Sequence, residues 1–287
     1  MCALIQDSAK KGENIMLLEV KSLTKIYSKN DTCRHDFEKG NVCMKCGSVA
    51  AVKDVSFRLD EGEVLSIVGE SGSGKSTLLK ILYFDIEPTG GETYLSSFEG
   101  GKRNLFSVDS KRKRELRNFN MGMVYQNPED GIKPGISASG NVADKLLAAN
   151  WRDFGGIKNR SLELLSKTEI PEQRFYDLTK NFSGGMKQRV QISKAMANNP
   201  ELLLLDEPTT GLDVSVQARL LDMIRSIQQE LGIATIMVTH DFGVAKTLAD
   251  RIMVMCGGVV VESGLADQIL EDPQHEYTQL LINSILG

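Results

Sequence analysis

The sequence has no apolar run near the roughly 18 to 20 residues that a membrane-crossing helix needs, so no part of it reads as a span. Its first fifteen residues carry Asp7, Lys10, Lys11 and Glu13 where a secretory signal would need an uninterrupted hydrophobic stretch. Neither sign of charge is in excess: 34 Lys and Arg stand against 38 Asp and Glu, a net charge of -4. That balance gives no long-range field to draw in nucleic acid or an anionic membrane surface. Internal repeats and low-complexity tracts are also missing, which argues for one copy of the unit and not a tandem pair. These absences predict a cytoplasmic chain, where its five cysteines would stay reduced. The composition, 41% hydrophobic and 25% charged over 287 residues, suffices for one sizeable core and a smaller second lobe.

What is present is a series of short apolar runs, each ending in polar residues. Val64-Leu65-Ser66-Ile67-Val68 reads as a buried strand and leads into Gly69-Glu70-Ser71-Gly72-Ser73-Gly74-Lys75-Ser76, then a helical pattern over residues 77–82. Residues 202–205 and 235–238 are two more such strands. Strands alternating with helices imply an α/β fold with a mostly parallel core sheet and the chemistry at its carboxyl ends. Residues 251–256 and 259–262 flank Gly257-Gly258, a two-residue turn signal for an antiparallel hairpin. Between Gln126 and Ser183 the pattern changes to helices and loops, which predicts a helical subdomain. Tyr277, Leu280, Leu281 and Ile285 recur at helical spacing and form a packing face. The expected organisation is a flexible leader (1–16), a first part of the core (17–126), a helical subdomain (127–190) and a second part of the core with a C-terminal helix (191–287).

The pattern G-x-x-x-x-G-K-[ST] is matched by Gly69, Gly74, Lys75 and Ser76 between a strand and a helix, the context a P-loop requires. Its glycines let backbone N–H groups turn inward around a β-phosphate, Lys75 neutralises β- and γ-oxygens, and Ser76 ligates magnesium. Ser71, Gly72 and Thr77 belong to the same phosphate-binding turn. Leu202-Leu203-Leu204-Leu205-Asp206-Glu207 delivers two adjacent carboxylates to a strand end. Asp206 would hold the magnesium shell, and Glu207, one step further out, could polarise an attacking water as general base.

Phe182-Ser183-Gly184-Gly185-Met186-Lys187-Gln188-Arg189 is a second glycine-rich start to a helix and so a second potential anion site. One nucleotide cannot obviously use both. At this point the chain resembles the ATP-binding cassette family over roughly residues 17–285. In that family the signature element of one subunit closes over the γ-phosphate held by the glycine loop of another. The resemblance implies a P-loop cassette that binds ATP and Mg2+, hydrolyses ATP and dimerises with itself. It also implies roles for Tyr27 in stacking on adenine, Gln126 in sensing magnesium and the γ-phosphate, Ser183, Gly184 and Gly185 in nucleotide contact, and Asp213 in the loop crossing the dimer. His240 would orient water and γ-phosphate. Met186 departs from the usual glutamine of the signature, and Gly211 replaces a commoner alanine. Neither change removes a phosphate ligand.

Two branches of the family compete. Asn127-Pro128, Asp130-Gly131, Ser137-Ala138-Ser139-Gly140-Asn141 and Val261-Glu262-Ser263-Gly264-Leu265 look like the ATP-binding subunit of the soluble carbon–phosphorus lyase system. The partners would then be subunits of that core complex. His275-Glu276-Tyr277-Thr278 resembles an element of dipeptide, oligopeptide or nickel importers instead. The segment after Gln126 favours the lyase branch, because importers use that surface to receive membrane subunits.

Between Tyr27 and Val52 an insertion (30–48) interrupts the family pattern with Cys33-Arg34-His35 and Cys43-Met44-Lys45-Cys46-Gly47. Two thiolates three apart with a following glycine suit a zinc knuckle. Cys33 and His35 would complete a structural Zn2+ site, although Asp36 stands where a symmetric ribbon has its next ligand, which leaves the fourth ligand open. Ordering backbone costs roughly 1 to 2 kcal/mol per residue. The insertion has only Phe37, Val42 and Met44 to bury, whereas zinc contributes about 10 to 16 kcal/mol. The alternative is an exposed insertion with incidental thiols. The basic run Lys111-Arg112-Lys113-Arg114 has no interleaved aromatics and reads as a solvated helix face.

Overall fold

The computed structural model describes residues 15–30, 32–37 and 40–286, with the backbone alone for 285 and 286. Cys2, the Ile285 side chain and all but the last two positions of the expected leader lie outside the described residues.

Two long antiparallel strands, β1 (Met16–Tyr27) and β2 (Val49–Asp60), open the fold. β3 (Val64–Val68) runs into α1 (Lys75–Leu82), which starts two residues before the expected helix. β4 (Gly90–Leu95) pairs with the free side of β1, so the first sheet has the order β2-β1-β4. After α2 (Ser110–Phe119) and β5 (Met121–Val124) come α3 (Pro128–Gly131), α4 (Ala138–Ala148), α5 (Phe154–Lys167) and α6 (Gly184–Ala195). The expected boundary at 190 therefore falls inside α6. β6 (Leu202–Asp206), α7 (Val214–Leu231), β7 (Ala234–Thr239) and α8 (Phe242–Leu248) alternate. The hairpin β8 (Arg251–Cys256) and β9 (Val259–Leu265) follows, then α9 (Ala266–Glu271) and α10 (Glu276–Leu286). No helix among the described residues is long and apolar enough to cross a membrane.

The second sheet has the order β5-β6-β7-β3-β8-β9 and is parallel except for β9. Every residue of β3, β6 and β7 is buried. Strands covered on both faces need no alternation, which is why they read as unbroken apolar runs. Leu78, Leu79 and Ile81 of α1 fill the space between the two sheets with Leu18, Leu23, Leu65 and Ile67. On the other face, Val142, Leu146, Leu164, Leu165 and Val190 of the helical region pack with Leu203 and Leu205 of β6.

The β8–β9 turn joins three parts of the molecule. Gly257 (φ 52°) and Gly258 (φ 84°) take the left-handed values that a tight two-residue hairpin demands. Gly258 N donates to Ser73 O at 3.0 Å, and Gly258 O accepts from Lys53 N of β2 at 2.8 Å. A Cβ at 258 would stand 2.6 Å from Ala50 O. Gly258→Ala should therefore lose the roughly 1–2 kcal/mol of a left-handed alanine and more for the displaced β2 backbone. Gly232→Ala, at φ 62° with nothing within 4 Å, should lose only the first part. Urea unfolding midpoints compare the two, and equal losses would contradict the close packing of the turn.

Candidate active site

The loop between β3 and α1 is held against the ends of two other strands. A Cβ at Gly74 (φ 103°) would lie 1.9 Å from Ala51 O of β2, and one at Gly69 (φ 151°) would lie 2.2 Å from Met255 O of β8. Only glycine fits either position, so the backbone of the loop, not its side chains, shapes the cradle. Lys75 opens α1 and is almost wholly buried. Its Nζ donates to Gly69 O at 2.7 Å, Glu70 O at 2.8 Å and Ser73 Oγ at 3.3 Å. Burial pulls the pKa of this ammonium down, while the carboxylates of Glu207, Asp206 and Glu70 oppose the shift. Ser71 and Gly72 are exposed at the loop's rim, and Ser76 and Thr77 are half-buried in the first turn of α1, whose N–H groups lack intrahelical acceptors.

Across from the loop, β6 ends in Asp206, which is 2% exposed and accepts from Ser76 Oγ at 2.7 Å. Burial raises its pKa against the pull of Ser76, Lys80 and Lys75. Glu207 follows in a left-handed conformation (φ 45°), with its N–H donating to Val238 O at 2.9 Å. Such strain in a non-glycine residue is characteristic of functional positions. Glu207 Oε2 accepts from Gln126 Nε2 at 3.1 Å and Thr210 Oγ1 at 2.7 Å, and His240 Nδ1 lies 3.2 Å away. Gln126 lies just beyond β5, Glu207 beyond β6 and His240 beyond β7, strands adjacent in the sheet. Their carboxyl ends converge on one carboxylate oxygen.

A cleft of about 520 Å³ lies over these groups, lined by Gly69, Ser71, Gln126, Glu207 and His240 and, unexpectedly, by Leu281 and Ser284 of α10. The last helix thus walls the cleft as well as packing. Glu262 Oε1 accepts from Gln274 N at 2.7 Å and Oε2 from His275 N at 3.1 Å, so a carboxylate caps the approach to α10. His275 Nδ1 accepts from Tyr277 N at 3.1 Å, and Tyr277 Oη accepts from Glu70 N of the glycine loop at 3.3 Å. Sequence reasoning missed Thr210, Tyr277 and the α10 wall. The position of Thr210 three residues after Glu207 was the only available signal for it, and the His275-Glu276-Tyr277-Thr278 run was the only one for the docking of α10.

The signature residues lie elsewhere. Ser183 caps α6 by accepting from Met186 N at 3.3 Å, and Ser183 and Gly184 are exposed. Gly185 sits beside Leu212 and Val216, next to Asp213, which is exposed at the start of α7 and makes no side-chain cap. Val214 is 84% exposed. None of these residues lines the cleft. Tyr27 is exposed at the end of β1, opposite Val49, with Lys25 Nζ 5.2 Å from its ring centre. It too is separate from the cleft lining.

The insertion between β1 and β2 brings Cys33, His35, Cys43 and Cys46 together, with their ligand atoms all within 4.8 Å of one another. Gly47 (φ 70°) makes the knuckle turn, donating its N–H to Cys43 O at 2.8 Å. Asp36 N donates to Cys43 Sγ at 3.3 Å and pulls that thiol down to about 6. Ser48 Oγ, 3.0 Å from Cys46 Sγ, lowers Cys46. Hydrogen bonding with Cys46 pushes Cys33 up to about 11. The half-buried His35 lies inside this group, and hydrogen bonding of its protonated ring to the Cys43 sulfur raises its pKa.

Comparison with known proteins agrees with this geometry. A family model for ABC transporters matches residues 52–210, and one for an AAA domain matches residues 180–244. PhnK of Escherichia coli (strain K12), provisionally named a phosphonates utilization ATP-binding protein, is 49% identical over 81% of this chain and 90% of its own. The oligopeptide transport ATP-binding protein OppD of Bacillus subtilis (strain 168) is 40% identical over 83% of this chain and 67% of its own. The ATP-binding cassette MJ0796, solved as a dimer in a post-hydrolysis state with ADP and Pi, superposes with a TM-score of 0.74. It is 29% identical and covers 87% of this chain and 99% of that one. With a family model spanning more than half of its length and relatives at 40% and 49% identity, the chain belongs to the ABC transporter family, as an ATP-binding subunit that hydrolyses ATP.

Proposed function

We propose that this ATPase is a subunit of a soluble carbon–phosphorus lyase assembly that degrades phosphonates, and that it turns over Mg-ATP between two copies of itself. The observation that carries the reading is the 49% identity to PhnK across 90% of that protein, against 40% identity across 67% of OppD. The surface after Gln126 supports it. Gly131 O accepts from Lys194 Nζ of α6 at 2.9 Å, and Glu129 pairs with Lys187. A Cβ at Gly131 would stand 2.0 Å from Gln191 Oε1. Gln191 accepts from Tyr125 N at 2.7 Å and donates to Tyr125 O at 3.0 Å, one residue before Gln126. A partner seated on α3 and residues 127–141 is thereby linked to both Gln126 and the signature helix. The importer branch remains the second reading, on the OppD identity and the His275-Glu276-Tyr277-Thr278 run.

Within each cleft, Lys75 would exchange the loop carbonyls for β- and γ-phosphate oxygens, with the first-turn N–H groups of α1 taking others. The hydroxyl and carboxylate oxygens of Ser76 and Asp206, already 2.7 Å apart, form a hard donor set that fits Mg2+. With Gln126 they would hold the ion, which when bound neutralises phosphate charge. Glu207 accepts a proton from the attacking water, and His240 orients water and γ-phosphate from the same carboxylate oxygen. Tyr27 stacks on adenine. Ser183, Gly184, Gly185 and Asp213 of a second copy complete the site, which accounts for their exposure here and accords with the dimeric MJ0796 structure. In the insertion, Cys33, His35, Cys43 and Cys46 hold a structural Zn2+, because two of its thiols are poised toward thiolate and four ligand atoms already cluster.

Lys75→Ala should abolish tight ATP binding, whereas Glu207→Gln should bind ATP and lose about 10²- to 10⁴-fold in turnover. Direct nucleotide binding and phosphate release separate the two, and normal hydrolysis by Glu207→Gln would remove the assignment of the base. Ser183→Arg should bind nucleotide normally yet stay monomeric with ATP by size-exclusion chromatography. Full activity in that variant would rule out sharing of the sites. Affinity capture with Glu207→Gln and Mg-ATP from phosphate-starved cells should recover lyase subunits. Recovery of integral membrane permeases would move the protein to the importer branch.

A further inference from the structure

The insertion is fastened to the fold at the point where the first sheet meets the base side of the nucleotide site. Tyr27, the last residue of β1, pairs with Val49, the first of β2. The opposite edge of Val49 forms an antiparallel bridge with Val42 of the insertion. Two further bonds close the same edge: Ala50 N donates to Asn41 O at 2.7 Å, and Cys43 N to Ser48 O at 2.7 Å. Ser48 is the pivot. It is fully buried, and its Oγ lies 3.0 Å from Cys46 Sγ and accepts from Lys29 N at 2.8 Å, two residues beyond Tyr27. A second tether runs from His35, whose ring lies 5.6 Å from that of Phe37, to Lys53 of β2, whose Nζ lies 6.0 Å from the Phe37 ring. Further along β2, the Ala51 carbonyl abuts Gly74 of the glycine loop.

We propose that Ser48 is a positioning residue: the metal-held Cys46 fixes the Ser48 hydroxyl, the hydroxyl fixes the chain at Lys29, and together they set Tyr27 for the adenine ring. Metal occupancy then governs ATP affinity from the base side, leaving the phosphate chemistry at Lys75 and Glu207 untouched. The inference rests on the zinc and adenine-stacking readings above. The insertion has little else to hold it. Among its described apolar residues, Cys43 is buried and Phe37 half-buried, while Val42 and Met44 are 47% and 70% exposed, so the short bridge at Val42, the four ligands and Ser48 carry most of its anchorage.

The test uses the full chain as purified, stripped with 1,10-phenanthroline in the presence of Mg2+, and refilled with Zn2+. Zinc content is read by mass spectrometry, ATP and tripolyphosphate affinities by calorimetry, and KM and kcat by phosphate release. Stripping should raise the ATP Kd and KM about three- to tenfold, the worth of one net hydrogen bond. It should leave kcat and tripolyphosphate affinity within about twofold, and Zn2+ should restore the original values. Ser48→Ala should keep its zinc and show the same rise in KM, which separates the coupling from a general loss of folding. Zinc bound but with ATP affinity indifferent to its removal and to Ser48→Ala would overturn the coupling alone. Failure to find or take up any zinc would overturn the metal reading and this inference with it.

Discussion

The site depends on the sharing of one carboxylate oxygen by three strand ends. Parallel strands lie about 4.8 Å apart, so the polar residues that follow β5, β6 and β7 leave the sheet side by side on one edge. Glu207 Oε2 gathers Gln126, Thr210 and His240 because each leaves the sheet or its following turn toward that oxygen. The arrangement requires Glu207 itself to take φ 45°, a conformation that the neighbouring strand sustains through the bond from Glu207 N to Val238 O. Asp206, turned the other way, meets Ser76 instead. Two adjacent carboxylates thus have different surroundings: one meets the Ser76 hydroxyl, and the other gathers Gln126, Thr210 and His240.

Much of this was legible in the residues. Four consecutive leucines can be buried on both faces only in the middle of a covered sheet, so the place of Asp206 and Glu207 at a strand end followed from the run before them. The glycine loop announced itself because positions 69 and 74 lie where a side chain would strike the carbonyls of Met255 and Ala51. The sequence could not reveal which strands would donate those carbonyls, since β2 and β8 lie far apart along the chain. Tyr277 was hidden for a related reason. Its spacing marked a packing face, and only the capping of residues 274 and 275 by Glu262 aims its hydroxyl at Glu70 N. The edge strand β5 has four residues, one of them Gly122, too short a run to stand out. The four-ligand group was half legible: C-x-x-C-G is a local signal, but His35 entering in place of a symmetric cysteine depends on how the loop folds back to Cys43 and Cys46.

The helical region is connected to the cleft through the segment around Gln126. Gln126 is the second residue past β5, and Tyr125 before it is bound at both N and O by Gln191 of α6. The same helix begins at Ser183 and is clamped to α3 by Lys187 and Lys194. A shift at Gln126 therefore carries α3 and α6 together, because close-packed helices move as units and do not deform continuously.

The chain carries a cleft and a glycine-rich helix start that do not meet within one copy. A cleft and its complement on the same molecule can be matched by a two-fold axis, which makes both contacts at once and closes the assembly. The exposure of Ser183, Gly184, Asp213 and Val214 leaves them accessible to a second copy. The α10 wall has a place in this arrangement as well. Leu281 and Ser284 line the cleft while Tyr277 holds the loop backbone, so α10 bounds the cleft beside the glycine loop. On its other side the glycine loop is bounded by β2, whose first residue Val49 is bridged to Val42 of the insertion. β2 meets the glycine loop where Ala51 abuts Gly74, and Gly258 joins the two again by accepting from Lys53 N and donating to Ser73 O.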